Sequence, residues 1–271
     1  MAYKSILVHV GDDPACESRL ALAIDLARRG EGRVIGVGGE FLYAGMGAAG
    51  GYMDARTIQM LLESAQRALD RAEAKFMAVA GDVPAVWRSR LERAEALMAD
   101  EARGADLIVA SQHAGGGKDA TPIDPGELIM ASGLPVLVAP PGAAGLSARR
   151  ILVGWKNTLQ ARSALGVALP LLKAAEAVEV VRVTGGDEPL AAAELEDVVE
   201  RLQLHGVKAS GDALDRGRGP VAQALLARAG EAGADLIVIG AYGQPRLRQW
   251  VFGGVTRDLL AQSTLPVLYA R

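Results

Sequence analysis

Gly104-Ala105-Asp106-Leu107-Ile108-Val109 returns 129 residues later as Gly233-Ala234-Asp235-Leu236-Ile237-Val238. Working outward, Ile6-Leu7-Val8 returns as Ile151-Leu152-Val153, and Leu134-Pro135-Val136-Leu137 as Leu265-Pro266-Val267-Leu268. The order is the same each time, so the chain is a duplicated domain. The offset drops from 145 to 129 between the first two pairs, which puts some 16 extra residues in the early half of the first copy. Pro140-Pro141-Gly142-Ala143-Ala144-Gly145 reads as a linker, dividing the chain into residues 1–145 and 147–271.

Each copy reads as apolar strands alternating with helices. Strands are expected near 4–10, 33–38, 84–91, 105–110 and 134–139, and again near 150–155, 178–183, 207–214, 234–239 and 265–270. Between them, Leu20, Ala23, Ile24 and Ala27, and later Val198, Val199 and Leu202, have helical spacing. Asp13 with Pro14 reads as a helix start. Strands apolar on both faces imply a parallel sheet covered on both sides. Right-handed crossovers then make each copy a doubly wound α/β domain with five parallel strands.

Composition removes several classes. The chain has 271 residues, 50% hydrophobic and 23% charged, which excludes a disordered chain. With 29 basic and 32 acidic residues, a general nucleic-acid surface is not expected. Cys16 is the single cysteine, so an intrachain disulfide and a multi-cysteine metal site are excluded. No signal peptide and no apolar run long enough for a membrane span is seen, so a cytoplasmic protein without membrane partners is expected.

In doubly wound sheets ligands bind beyond the carboxyl ends of the strands, where strand order reverses. After the fourth strand of the second copy the chain reads Gly240-Ala241-Tyr242-Gly243, nine residues, then Gly253-Gly254-Val255-Thr256, opening a short helix expected over 255–262. Glycines admit a ligand close to the backbone, and a helix N-terminus offers free N–H groups and a positive dipole end. That combination suits a phosphate chain; without their spacing the glycines would read better as a tight turn and a loop, and spacing and fold context together reverse that preference.

Both copies resemble the universal stress protein family, whose nucleotide motif is Gly, two residues, Gly, nine residues, Gly, then Ser or Thr. Gly240, Gly243 and Gly253 match; Gly254 stands where the family has a hydroxyl, and Val255 fits the next position. The resemblance implies ATP, or ADP or AMP, as ligand. It places Val153 and Val183 beside the adenine and draws Gly154, Trp155, Ile239 and Thr256 into the same site. Lys156 replaces the family's metal-associated aspartate, so a metal is expected to be weak or absent, with the ammonium meeting phosphate directly. Trp155 reads as core packing in preference to a cover for the site. The resemblance also implies that the copies pair through strands 134–139 and 265–270 as an internal pseudo-dimer; a homodimer beyond that stays open. The function implied is a stress-related, nucleotide-binding regulator. No general base is evident, so any ATP hydrolysis should be slow. The alternative is a nucleotide-free interaction protein whose site has degenerated.

The first copy lacks the motif. It reads Ala110-Ser111-Gln112-His113 after its fourth strand, has Pro122-Ile123 in place of Gly253-Gly254, and has Gly11 in place of the aspartate, with Asp12 following. Its nucleotide site is expected to be degenerate.

Weaker signals lead elsewhere. Gly45-Met46-Gly47-Ala48-Ala49-Gly50, within loop 40–53, satisfies a dinucleotide pattern but follows a second strand and does not join strand to helix directly. Gly115-Gly116-Gly117-Lys118 fails as a phosphate loop because Gln112 stands where glycine is needed. His9, His113 and His205 lack metal-ligand spacing, and His9 reads as a packed strand residue. Arg216-Gly217-Arg218-Gly219 reads as a solvated loop, while Arg246 and Arg248 are better placed to meet an anion.

Overall fold

The computed structural model describes residues 3–41, 54–112, 123–143, 145–185, 189–243 and 254–271. The first copy runs β1 (Ser5–His9), α1 (Cys16–Arg29), β2 (Arg33–Gly39), α2 (Ala55–Ala80), β3 (Ala85–Arg90), α3 (Ala94–Glu101), β4 (Leu107–Ser111), α4 (Pro125–Ala131) and β5 (Val136–Ala139). The second runs β6 (Arg150–Trp155), α5 (Leu159–Ala174), β7 (Ala177–Thr184), α6 (Pro189–Leu204), β8 (Ala209–Asp215), α7 (Val221–Glu231), β9 (Leu236–Gly240), α8 (Gly254–Gln262) and β10 (Val267–Ala270).

The strands form one sheet, in the order β3-β2-β1-β4-β5-β10-β9-β6-β7-β8. Within each copy all pairs are parallel. The single antiparallel pair joins the copies, with Val267 opposite Val138, Leu268 opposite Leu137 and Tyr269 opposite Val136. The two expected five-stranded sheets are therefore halves of one ten-stranded sheet. Neither β5 nor β10 presents an open edge. The outer strands β3 and β8 carry charge instead, with Arg88 and Arg90 on one and Asp212 and Asp215 on the other.

The core lies in two layers because strand side chains alternate. Ile6, Val8, Ile151 and Val153 enter the layer under α1 and α5, while Leu7 and Leu152 enter the layer on the opposite face. This alternation of two buried faces is why the strands read as continuous apolar runs. Strand order reverses between β1 and β4, and between β6 and β9, so two clefts open above the sheet. Among the described residues no helix is long and apolar enough to cross a membrane.

Two local readings need correction. α1 starts at Cys16, with Ala15 as an uncapped N-cap. Asp13 closes the preceding turn by accepting the Ala15 N–H at 3.1 Å, and its carboxylate is otherwise held by an arginine. The strands expected over 134–139 and 265–270 start at Val136 and Val267, so Pro135 and Pro266 stand just before them. Their carbonyls still accept from Ile108 and Ile237 at 3.0 and 3.1 Å, so the missing N–H costs nothing in the ladder.

Candidate functional site

The second cleft lies above β6 and β9. Its floor includes the turn from β6 into α5. Thr158 caps α5 by accepting the Ala161 N–H at 3.2 Å, and its own N–H donates to the Lys156 carbonyl at 2.6 Å. This folds the turn so that the Lys156 side chain is exposed at the strand end. Among the described residues nothing pairs with its ammonium. α8 begins at Gly254, which is exposed and stands in the helix's first turn. Lys156, Gly243 and Gly254 are thus exposed residues on three elements that end at the cleft.

The glycines differ in what they make room for. A Cβ on Gly240 would stand 2.4 Å from the Ala161 nitrogen and 2.5 Å from the Gln160 carbonyl carbon. Gly240 therefore lets the first turn of α5 sit on β9, and the space its missing side chain leaves is filled by backbone. A Cβ on Gly243 would meet the Gln160 Oε1 at 3.4 Å and Thr158 at 3.6 Å, ordinary contact distances, and its φ is not left-handed. The strained residue is its neighbour: Tyr242 has φ 55°, a conformation that costs an L-residue about 1–2 kcal/mol. Burial, together with the Asp124 carboxylate, pushes the Tyr242 hydroxyl up to about 12.

The other site residues divide by burial. Val153, Trp155 and Ile239 are 1%, 7% and 3% exposed and lie inside the core layers. The Trp155 ring belongs to the core, and its Nε1 has no hydrogen-bond partner among the described residues. Gly154 is half-buried, because a Cβ there would meet the Ile239 Cγ2 at 2.9 Å and the Leu225 Cδ1 at 3.2 Å. Val183 and Val255 are half-buried on the opposite layer, and Thr256 is buried. Gly253, Arg246 and Arg248 lie outside the described residues, as do the 45–50 glycine pattern and Gly115–Lys118. Arg216 donates to the Gly219 carbonyl at 2.9 Å and so closes its own loop. Among the described residues no group of three or more His, Cys, Asp or Glu stands together as a metal site.

The first cleft, above β1 and β4, is filled from within. Arg19 of α1 is 2% exposed and engages three neighbours through its guanidinium. Nε donates to the His9 carbonyl at 2.9 Å, NH1 to the Ser111 Oγ at 2.7 Å, and NH2 to the Asp13 Oδ2 at 2.7 Å, with the His9 Nδ1 3.4 Å away. Burial favours the neutral His9 ring, and the adjacent Arg19 charge adds to this; its pKa falls to about 3 although Asp13 opposes the shift. Burial alone would raise the Asp13 carboxyl, but its hydrogen bond and charge pairing with Arg19 hold it below the usual range. Ile123, at the entry to α4, closes the far side. The space left between His9, Arg19, Ser111 and Ile123 is about 10 Å³, the lower limit for one water. Sequence reading missed Arg19. The available signal was an arginine on the Cys16, Leu20, Ala23 face of a helix otherwise buried in apolar contacts.

Known proteins can now be set beside this geometry. Residues 147–271 match the universal stress protein family. A universal stress protein from Archaeoglobus fulgidus DSM 4304 superposes with a TM-score of 0.75, covering 98% of this chain and 96% of that chain at 16% identity. A functionally unknown protein from Pseudomonas aeruginosa PAO1 has a TM-score of 0.56, covering 99% and 92% at 16% identity. At those identities the likeness establishes the fold across both copies. The stress response protein NhaX of Bacillus subtilis (strain 168) is 37% identical over 71 residues, 26% of this chain and 42% of that protein. The chain thus spans less than half the length of the curated relative it matches.

Proposed function

We propose, from the match of residues 147–271 to the universal stress protein family and the repeat of the fold in the residues before them, that the chain is a stress-related regulator that binds one adenine nucleotide, ATP, in its second copy. The observation that carries this reading is the contrast between the clefts. In the second, Lys156, with no partner for its ammonium among the described residues, and Gly243 are exposed beyond the ends of β6 and β9, and Gly254 is exposed where α8 begins; in the first, a buried guanidinium ties His9, Asp13 and Ser111 together. Lys156 and the N–H groups at the start of α8 would meet the phosphates, and Val183 would lie towards the base. In this reading residues 1–145 form a structural partner domain and residues 147–271 the binding domain. The nucleotide-free alternative has one observation in its favour: Gly240 serves helix packing.

Calorimetric titration of the full chain with ATP, with and without Mg²⁺, tests the proposal. One site per chain and little dependence on Mg²⁺ are expected, because Lys156 supplies positive charge where a metal would sit. Lys156→Asp should weaken metal-free binding by about 1–3 kcal/mol, the worth of a charge-assisted hydrogen bond. Two equal sites, or no heat of binding at all, would refute it.

A further inference from the structure

Tyr242 belongs to the glycine stretch, yet its side chain leaves the cleft. Its backbone follows β9 directly and is left-handed, with Gly243 beside Thr158 and Gln160. Its hydroxyl reaches the first copy: a Cβ on Gly126 of α4 would stand 3.0 Å from that oxygen and 3.1 Å from the Asp124 Oδ1. Asp124 is the N-cap of α4, and its Oδ1 accepts the Gly126 N–H at 2.7 Å. Burial raises the hydroxyl pKa of Tyr269 in the joining strand β10, and Tyr242 lies close enough to add to that shift. One residue thus has its main chain in the candidate phosphate-binding turn and its side chain in the junction between copies.

We propose that Tyr242 is a positioning residue through which α4 of the first copy sets the conformation of the Gly240–Gly243 turn, and with it the nucleotide affinity of the second copy. The affinity half rests on the nucleotide reading above; the positional half does not. A non-glycine residue keeps a left-handed backbone only where its surroundings hold it there, and Gly126 of α4 lies against the hydroxyl end of the Tyr242 side chain. Coupling of this kind is reciprocal, so nucleotide in the second copy must also steady α4.

Hydrogen exchange on the full chain, read alongside ATP affinity, tests both halves. Gly126→Ala lies in the first copy, and its added Cβ crowds the Tyr242 oxygen by a few tenths of an ångström. Without nucleotide it should speed exchange at residues 240–243 at least threefold, and it should weaken ATP binding about tenfold. Tyr242→Phe in the Gly126→Ala background removes the crowded oxygen and should restore both, a rescue that general destabilisation would not show. Met130→Ala, on the exposed side of α4, should change neither. With ATP bound, amides of α4 should exchange more slowly. Unaltered exchange at 240–243 in Gly126→Ala would overturn the proposal, as would the absence of rescue by Tyr242→Phe. Ligand-free coupling in a chain that does not bind ATP would support the positional half and overturn the nucleotide reading alone.

Discussion

The two clefts of this chain occupy the same place in the same fold and are built to opposite ends. Above β1 and β4, His9, Asp13, Arg19 and Ser111 make a closed polar network. The repeat offsets put Gly154, Thr158, Ala164 and Gly240 at the corresponding positions above β6 and β9. Each of the four polar network positions is small or turned to another task in the second copy. Thr158 caps α5, Ala164 is buried in the core, and Gly240 admits the backbone of α5. Duplication thus supplied two switch points: the first is packed by the Arg19 network, and at the second the described Lys156, Gly243 and Gly254 are exposed.

The largest effect should come from taking the plug out of the first cleft. Arg19→Ala strands the Asp13 carboxylate and the Ser111 hydroxyl in the interior. Removing one partner of a buried ion pair costs about 3–5 kcal/mol. Denaturant unfolding should register that loss, whereas Ala164→Gly in the second copy should cost only about 1 kcal/mol. An Arg19→Ala protein as stable as the unaltered chain would mean that the network is not what closes the first cleft.

Gly240→Ala should rank next. Its Cβ meets main-chain atoms of α5 that cannot swing aside, so overpacking of about 1–3 kcal/mol is expected. Gly243→Ala, with only ordinary contacts, should stay within about 1 kcal/mol in thermal unfolding. Equal effects would erase the distinction between a packing glycine and a cleft glycine.

The smallest effect, read per pH unit, concerns protons. His9 is neutral when folded and titrates near 3, whereas an unfolded histidine titrates near 6.5. Between those values the unfolded chain binds the extra proton. Stability contributed by His9 is therefore present above pH 6.5 and is lost as pH falls towards 3, with a slope of at most about 1.4 kcal/mol per unit. Asp13 acts in the same direction at the acid end of this window, because its carboxyl is held low. His9→Asn should flatten the slope between pH 6 and 4 in melts followed across that range, and the second cleft, with Gly154 at that position, should add nothing to it.

Much of this was legible in the linear chain. The repeat, the strands and the alternation of elements are local patterns, since an apolar run covered on both faces needs no distant partner to be recognised. The second copy's glycine spacing was legible for the same reason, and so was the exposed Lys156 that follows β6. What each glycine is for was not legible, because Gly240 is required by Ala161, some eighty residues earlier in the chain. Arg19 was passed over because its partner Ser111 of β4 comes to it from ninety-two positions away. Trp155 could be read as cover or as core until the layers were assembled around it. Tyr242 occupied an unspecified position of a motif until the antiparallel register of β5 and β10 set it beside α4 of the other copy. Sequence by itself determined which segments become strands and helices and that they come twice, because those choices depend on side-chain polarity at short spacing. Only the tertiary structure decided which cleft is filled and what holds the turn beside the open one, because those outcomes depend on which atoms from distant segments claim the same few ångströms.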